Sequence, residues 1–310
     1  MKSKARSLRS NRKVADFIQF CLLALPAVLL VLIFNYIPMG GIVIAFKRFN
    51  VKDGIFNSPW VGLNNFKFFF ESSDAWRVVR NTLGLNLLFI VFKLIFSVAF
   101  ALMCFKIRSR KAVKVYQTTA IVPSFLSWVV VGYLVYALLK PNGGAINSII
   151  SAFGGEPIKW YSKPEYWPVI LLITVLWQGV GNGSLFYYAS LMGIDPSYYE
   201  AAALDGANSW QEFKYVTLPF LKPLIIIMQI LAIGGIFNAD FGLFYNVTRN
   251  IGKLYPTTDV ISTYVYRALI EVGNIGMSAA VGLMQSVMGF VLVIVTNLIV
   301  RKIDPDSALF

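Results

Sequence analysis

Apolar residues in this chain collect into long runs separated by short polar segments. A helix needs about 20 mainly apolar residues to cross the hydrocarbon of a bilayer. Six runs reach that length, at 17–37, 82–105, 120–139, 168–192, 221–245 and 279–300. The pattern predicts an all-α integral membrane protein of six transmembrane helices. It divides the chain into a basic N-terminal segment (1–16), a single transmembrane domain (17–300) and a short tail (301–310). The first run follows a cluster of basic residues, as a signal peptide would. Its apolar stretch is too long for the core of such a peptide, and no small-residue cleavage site closes it. It is therefore expected to stay as the first helix, with Pro26 and Pro38 kinking or ending it.

Charge then orients the spans, because short basic loops stay on the cytoplasmic side. Lys2, Lys4, Arg6, Arg9, Arg12 and Lys13 precede the first span without an acid among them. Lys106, Arg108, Arg110, Lys111 and Lys114 follow the second. Both segments are expected inside, which puts both termini in the cytoplasm. Segment 47–80 is longer and mixed in sign, and is placed outside.

Composition narrows the function. Of 310 residues 57% are hydrophobic and 14% charged, with mean hydropathy +0.66, where a soluble domain carries about 25% charge. Disorder and an ordinary cytosolic enzyme are excluded. The net charge of +13 is topogenic on this reading, with no nucleic-acid partner. The chain has no histidine, which removes histidine acid–base chemistry and histidine-ligated metals. Cys21 and Cys104 sit in apolar stretches, so neither a disulfide framework nor a thiolate metal site is expected. No G-x-x-x-x-G-K-[ST] occurs. No catalytic residue, bound metal or bound cofactor is expected, and the chain is not read as an enzyme.

One segment breaks the charge rule. The loop 193–222, cytoplasmic on this topology, holds Asp195, Glu200, Asp205 and Glu212 against Lys214 and Lys222. Asp195 followed by Pro196 is a favoured helix start. Residues 197–204 continue the helix and Gly206 supplies a left-handed stop. Ser209 and Glu212 have the spacing of a capping box that begins a second short helix. Leu218-Pro219 is expected to break the chain before the fifth span. Caps specify shape and not partner, so the loop reads either as an interfacial elbow or as a docking element.

The residues of this loop resemble a known family. Glu200-Ala201-Ala202-Ala203-Leu204-Asp205-Gly206-Ala207, with Phe213, Leu218-Pro219 and Pro223, resembles the EAA motif of ABC importer permeases. Upstream Leu176-Trp177, 184–191 and Ile194-Asp195-Pro196, and downstream 237–244, 255–261, 263–267 and 280–286, are similar to carbohydrate permeases related to maltose and alginate importers. The resemblance covers roughly residues 10–305. It implies the type I ABC importer permease fold, with 193–222 as a coupling loop that docks on a cytoplasmic ATPase through Tyr199, Glu200, Ala201, Ala202, Asp205, Gly206, Leu218 and Pro219. It implies a sugar substrate, most simply an oligosaccharide, delivered by an extracellular solute-binding protein to a bacterial cell membrane. It also implies a second, non-identical permease and two ATPase subunits that use ATP and Mg. A permease for a peptide, amino acid or polyamine, or an ion-coupled carrier, are the alternatives.

Polar groups inside spans tend to face a cavity or a partner helix. In the second span Asn86, Lys93 and Ser97 fall on one helical face. Lys93 either lines a cavity or pairs with Asp240, placed in the outer part of the fifth helix. Asn238 and Gln229 in the fifth span, and Gln285 and Ser286 in the sixth, are interhelical or cavity-lining. Sugars need flat apolar faces and hydrogen-bonding groups. Trp177, Gln178, Asn182, Tyr187 and Tyr188 in the fourth span offer both, although aromatic residues in spans also serve as lipid-facing belts. The candidate substrate path is therefore Lys93, Trp177, Asn182, Tyr187, Asn238, Asp240 and Gln285. The G-x-x-x-G of Gly179 and Gly183 reads as a close helix crossing.

Overall fold

The computed structural model describes residues 2–271, 273–305, 308 and 309, with side chains from Phe17 onward except that of Phe68. The six N-terminal basic side chains, Lys2 to Lys13, lie outside the described residues. Five helices are long and apolar enough to cross a membrane, and a sixth span forms if one bent pair is counted as a unit. Among the described residues the sole strand-like feature is a bridge between Lys47 and Trp60.

The helices are α1 (Lys2–Val31), α2 (Asn64–Glu71), α3 (Ala75–Lys106), α4 (Arg110–Ile121), α5 (Trp128–Leu139), α6 (Ala145–Ala152), α7 (Trp167–Met192), α8 (Pro196–Leu204), α9 (Ser209–Gly234), α10 (Ile261–Ile270) and α11 (Ile275–Ile303). Pro26 lies inside α1, and the first span runs on through a π turn and further helical turns to Phe46. At 32 residues α3 is about 48 Å long. It overhangs the roughly 30 Å hydrocarbon core at both ends, where it carries Arg77, Arg80 and Lys106.

Two spans depart from the hydropathy reading. The run 120–139 is not one helix, because α4 and α5 meet at 99°. Pro123 starts a 3-10 turn at Val122–Phe125, having no N–H to give to a continuing helix. The Ser127 hydroxyl then accepts from the Val130 N–H and starts α5 afresh. The run 221–245 ends early, because Gly234 and Gly235 close α9. Asp240 therefore does not lie in the outer part of the fifth helix. Its carboxylate accepts the Leu243 N–H at 3.3 Å and opens a separate π turn, Leu243–Val247.

The beginning of α9 also differs. Its cap is Asn208, whose side chain accepts from Gln211 N while Gln211 Oε1 accepts from Asn208 N. The capping box thus sits one residue earlier than the Ser209/Glu212 spacing suggests. No break occurs at Leu218-Pro219, since the helix absorbs Pro219 through a π turn at Phe213–Thr217 and continues to Gly234.

Packing divides the chain into two units. The first holds residues 1–68 and 275–283. In it Lys47, buried, donates from Nζ to the carbonyls of Ile55 (2.8 Å) and Phe56 (2.6 Å), while Asn65 Nδ2 donates to the carbonyls of Ala45 and Lys47. Lys47 is thus a bracket for its own loop rather than only a topological charge.

The second unit holds 69–274 and 284–310. Its core gathers Leu85, Phe89, Val131, Trp167, Leu171, Leu243, Phe244 and Val247. Helices α3 and α7 form its main contact. Gly181 lets α7 touch the backbone of α4, where a Cβ would stand 2.0 Å from the Ala120 carbonyl oxygen. Gly179 and Gly183 lie against Lys93 and Ser97 of α3, so the G-x-x-x-G is a close crossing as expected. At the Arg77 end of α3, Asp259 is fully buried between Arg77 (3.0 Å) and Arg267 (2.6 Å). Asn81 Nδ2 adds a bond to the Asp259 carbonyl at 3.1 Å, which fastens α3 to the segment that leads into α10.

Candidate functional site

A cavity of about 460 Å³ opens within the second unit. Helix α3 supplies Asn86, Phe89, Lys93 and Ser97; α7 supplies Gln178, Asn182 and Tyr187; α9 supplies Met228 and Gln229; the segment after it supplies Asn238, Asp240 and Phe244. The two departures from regular helix build this site. Because α9 stops at Gly234, the following turn carries Asn238 and Asp240 to the cavity wall. Because α5 restarts at Ser127, Trp128 sits at its first turn and reaches the same wall. Trp128 Nε1 donates to Asp240 Oδ2 at 2.7 Å, and Asn86 Nδ2 donates to the Ile236 carbonyl at 2.7 Å, pinning the turn to α3.

Five of the seven substrate-path candidates line this cavity: Lys93, Asn182, Tyr187, Asn238 and Asp240. Two do not. Trp177 is on α7 but turns away, half exposed. Gln285 is buried and donates to the Phe237 carbonyl at 2.6 Å, which makes it an interhelical tie. Lys93 and Asp240 do not pair. Asp240 is committed to Trp128 and Leu243, whereas Lys93 makes no ion pair or hydrogen bond among the described residues. Trp128 and Phe89 escaped the sequence reading, whereas Gln229 lines the cavity as one of its two expected roles. Ser127 before Trp128 was the available signal, since a capping residue inside an apolar run starts a new helix there.

The second feature is the loop between α7 and α9. Asp195 Oδ1 accepts the Ser197 N–H at 2.9 Å and caps α8 as expected. That bond holds the Asp195 carboxyl below the usual carboxylate range. Gly206 has φ +76° and Ala207 N returns to the Ala202 carbonyl at 2.9 Å, the left-handed stop read from the sequence. The turn leaves a shallow groove of about 410 Å³ lined by Tyr198, Ala201, Ala202, Asp205, Gly206 and Tyr215, among others. Glu200 stands exposed beside it.

Leu204 is 90% exposed, and Trp210 and Tyr215 are each 67% exposed. These three side chains and the groove are the surface that this capped loop offers. Tyr199 faces the other way. Its hydroxyl lies 3.2 Å from Thr217 Oγ1 and its ring packs on Phe105, and burial raises its pKa. Tyr199 therefore braces α8 against α9 and α3. Leu218 and Pro219 lie within α9 rather than at its start.

Comparison with known proteins places this geometry among relatives. Residues 93–305 match the family described as binding-protein-dependent transport system inner membrane component. Protein LplB of Bacillus subtilis is 34% identical over 286 residues, which are 92% of this chain and 89% of that protein. The polygalacturonan/rhamnogalacturonan transport system permease protein YteP of the same species is also 34% identical, across 92% and 88%. A crystal structure of a bacterial alginate ABC transporter, in complex with an alginate pentasaccharide-bound periplasmic protein, contains a similar chain. It shares 31% identity at TM-score 0.83, over 93% of this chain and 96% of that one.

Proposed function

This chain belongs to the family of binding-protein-dependent transport system inner membrane components, and from that premise we propose that it is a permease subunit of an ATP-driven importer for oligosaccharides. The observation that carries the reading is the run from loop to cavity. A rigid, apolar-tipped loop leads through Asn208 into α9, and α9 runs unbroken to the turn that bears Asn238 and Asp240. Both ends of a transport cycle thus lie on one rod.

Relatives are named for the transport of polygalacturonan/rhamnogalacturonan, arabinooligosaccharides, lactose and alginate, and the cavity suits saccharides. Phe89, Trp128 and Phe244 supply flat apolar faces, while Asn86, Gln178, Asn182, Gln229 and Asn238 supply amide groups for hydroxyls. In this reading both termini are cytoplasmic and α8 is the coupling helix. Tyr198, Leu204 and Tyr215 seat in a cleft of an ATPase subunit, with Ala201, Ala202, Asp205 and Gly206 at the contact. ATP and Mg act in that partner and not here. A second permease completes the path, and an extracellular binding protein delivers the sugar.

Purification of the tagged chain from its native membrane in mild detergent tests this. An ATPase subunit and a second permease should co-purify, and the complex in vesicles should take up saccharides only with ATP and the binding protein. A chain that purifies alone and moves solute without ATP overturns the reading.

A further inference from the structure

We propose that the cavity takes an acidic oligosaccharide and that Lys93 and Ser97 form its carboxylate subsite; this rests on the saccharide-importer reading above. The lining carries two charged residues, Lys93 and Asp240, and they are in opposite condition. Asp240 accepts on both oxygens, from the Trp128 indole N–H and the Leu243 amide, so its carboxylate is held in place on the wall by neutral donors. Lys93 has no carboxylate or carbonyl partner among the described residues, and its side chain is exposed to the cavity.

One helical turn along α3, the Ser97 side chain is only 2% exposed and its Oγ has no hydrogen-bond partner. An orphaned buried hydroxyl is uncommon, because helix-borne serines ordinarily return to a carbonyl of their own helix. A cation and an unpaired O–H donor on one cavity wall fit an anion with acceptor oxygens to spare. Helix α7 crosses α3 closely at this point. Gly179 and Gly183 face Lys93 and Ser97, and a Cβ on Gly183 would stand 2.8 Å from Ser97 Oγ. Asn182, exposed on the same turn, supplies an amide for a neighbouring hydroxyl. A uronic acid residue offers both groups, a carboxylate and adjacent hydroxyls.

The test uses the whole importer, with its partner permease, ATPases and binding protein, in proteoliposomes. ATP-dependent uptake is measured for a uronic-acid trisaccharide and for the same trisaccharide with its carboxyls reduced to alcohols. The binding protein is common to all variants, so its own preference cancels when each variant's acid-to-neutral uptake ratio is divided by that of the wild type. Lys93→Met should lower the ratio about 10-fold, the scale of one hydrogen bond to a charged group, and Lys93→Arg should retain most of it. Ser97→Ala, which alters no charge, should lower it in the same direction by a smaller factor and serves if Lys93→Met does not assemble. Equal loss for both sugars, or an unchanged ratio, overturns the carboxylate subsite while leaving the saccharide importer standing. A wild-type complex that carries neither sugar yet imports another solute overturns the saccharide reading as well.

Discussion

Replacing Asp259 by alanine removes the one carboxylate that holds Arg77 and Arg267. Its side chain is fully buried and accepts from Arg77 at 3.0 Å, Arg267 at 2.6 Å and Thr263 at 3.1 Å. Removing one partner of a buried ion pair costs about 3–5 kcal/mol, because the charge left behind has lost its answer. The cost here belongs at the lower end. Arg77 is 30% exposed and keeps Asp74 at 2.8 Å, so water and a second carboxylate take over part of its charge. Arg267 is 13% exposed and lies over the Tyr255 ring, so it bears most of the loss.

About 3 kcal/mol is therefore expected for Asp259→Ala, a shift of about 6–12 °C if each kcal/mol moves the midpoint by roughly 2–4 °C as in domains of 150–250 residues. Thermal unfolding of the detergent-solubilised complex, followed by tryptophan fluorescence, reads it directly. The triple variant Arg77→Met, Asp259→Leu, Arg267→Met should be less damaged than Asp259→Ala alone, since it leaves no unpaired buried charge. A single variant that loses less than about 1 kcal/mol, or a triple variant worse than the single, refutes the argument that this cluster fastens α3 to the α10 segment.

Gly206→Val forces a β-branched residue to φ +76°, at about 1–3 kcal/mol of backbone strain. ATP hydrolysis should continue while uptake falls, as measured by the ratio of sugar imported to phosphate released. Gly181→Ala places a Cβ 2.0 Å from the Ala120 carbonyl and should lower the thermal midpoint at about the 1–3 kcal/mol scale of overpacking, whereas Gly282→Ala, with open space around it, should not. The Asp195 cap carries a pH signature. Its folded pKa lies below the ordinary 3.8, so the cap is at full strength above that value and is lost as pH falls through the lowered one. Hydrogen exchange at the first turn of α8 should be protected equally at pH 8 and pH 5 and lose protection in acid; Asp195→Asn should remove that acid dependence.

The approximate place of five spans was legible because hydropathy integrates over 20 residues and tolerates local faults. The loop 193–222 was legible for the opposite reason, since Asp195, Pro196 and Gly206 each dictate one local conformation. What escaped lay between those scales. Pro123 with Ser127, and the Gly234-Gly235 pair, interrupt runs whose mean hydropathy barely registers them. These interruptions place Trp128 and Asp240 on the cavity, so a reading that smoothed them over left open whether Asp240 pairs with Lys93 and did not find its partner Trp128. Asn208 was passed over as a cap because Ser209 offered a familiar spacing one position later. Pro219 was read as a break because its usual cost is absorbed here by a π turn that hydropathy does not encode.

The bend between α4 and α5 also bears on how the chain enters a bilayer. Each half has 12 residues, about 18 Å of helix, and neither alone spans the hydrocarbon. The first half begins with Arg110 and Lys111 and carries Lys114 and Gln117 as well, which lipid does not accept at depth. Its seat is the Gly181 face of α7, yet α7 is synthesised after it. During insertion, residues 110–139 must wait in a sheltered, aqueous or protein-lined place until α7 arrives. With Cys21 and Cys104 replaced by serine, Gln117→Cys in chains truncated before residue 167 should therefore be open to a water-borne cysteine reagent, and in chains extended through residue 192 it should be protected.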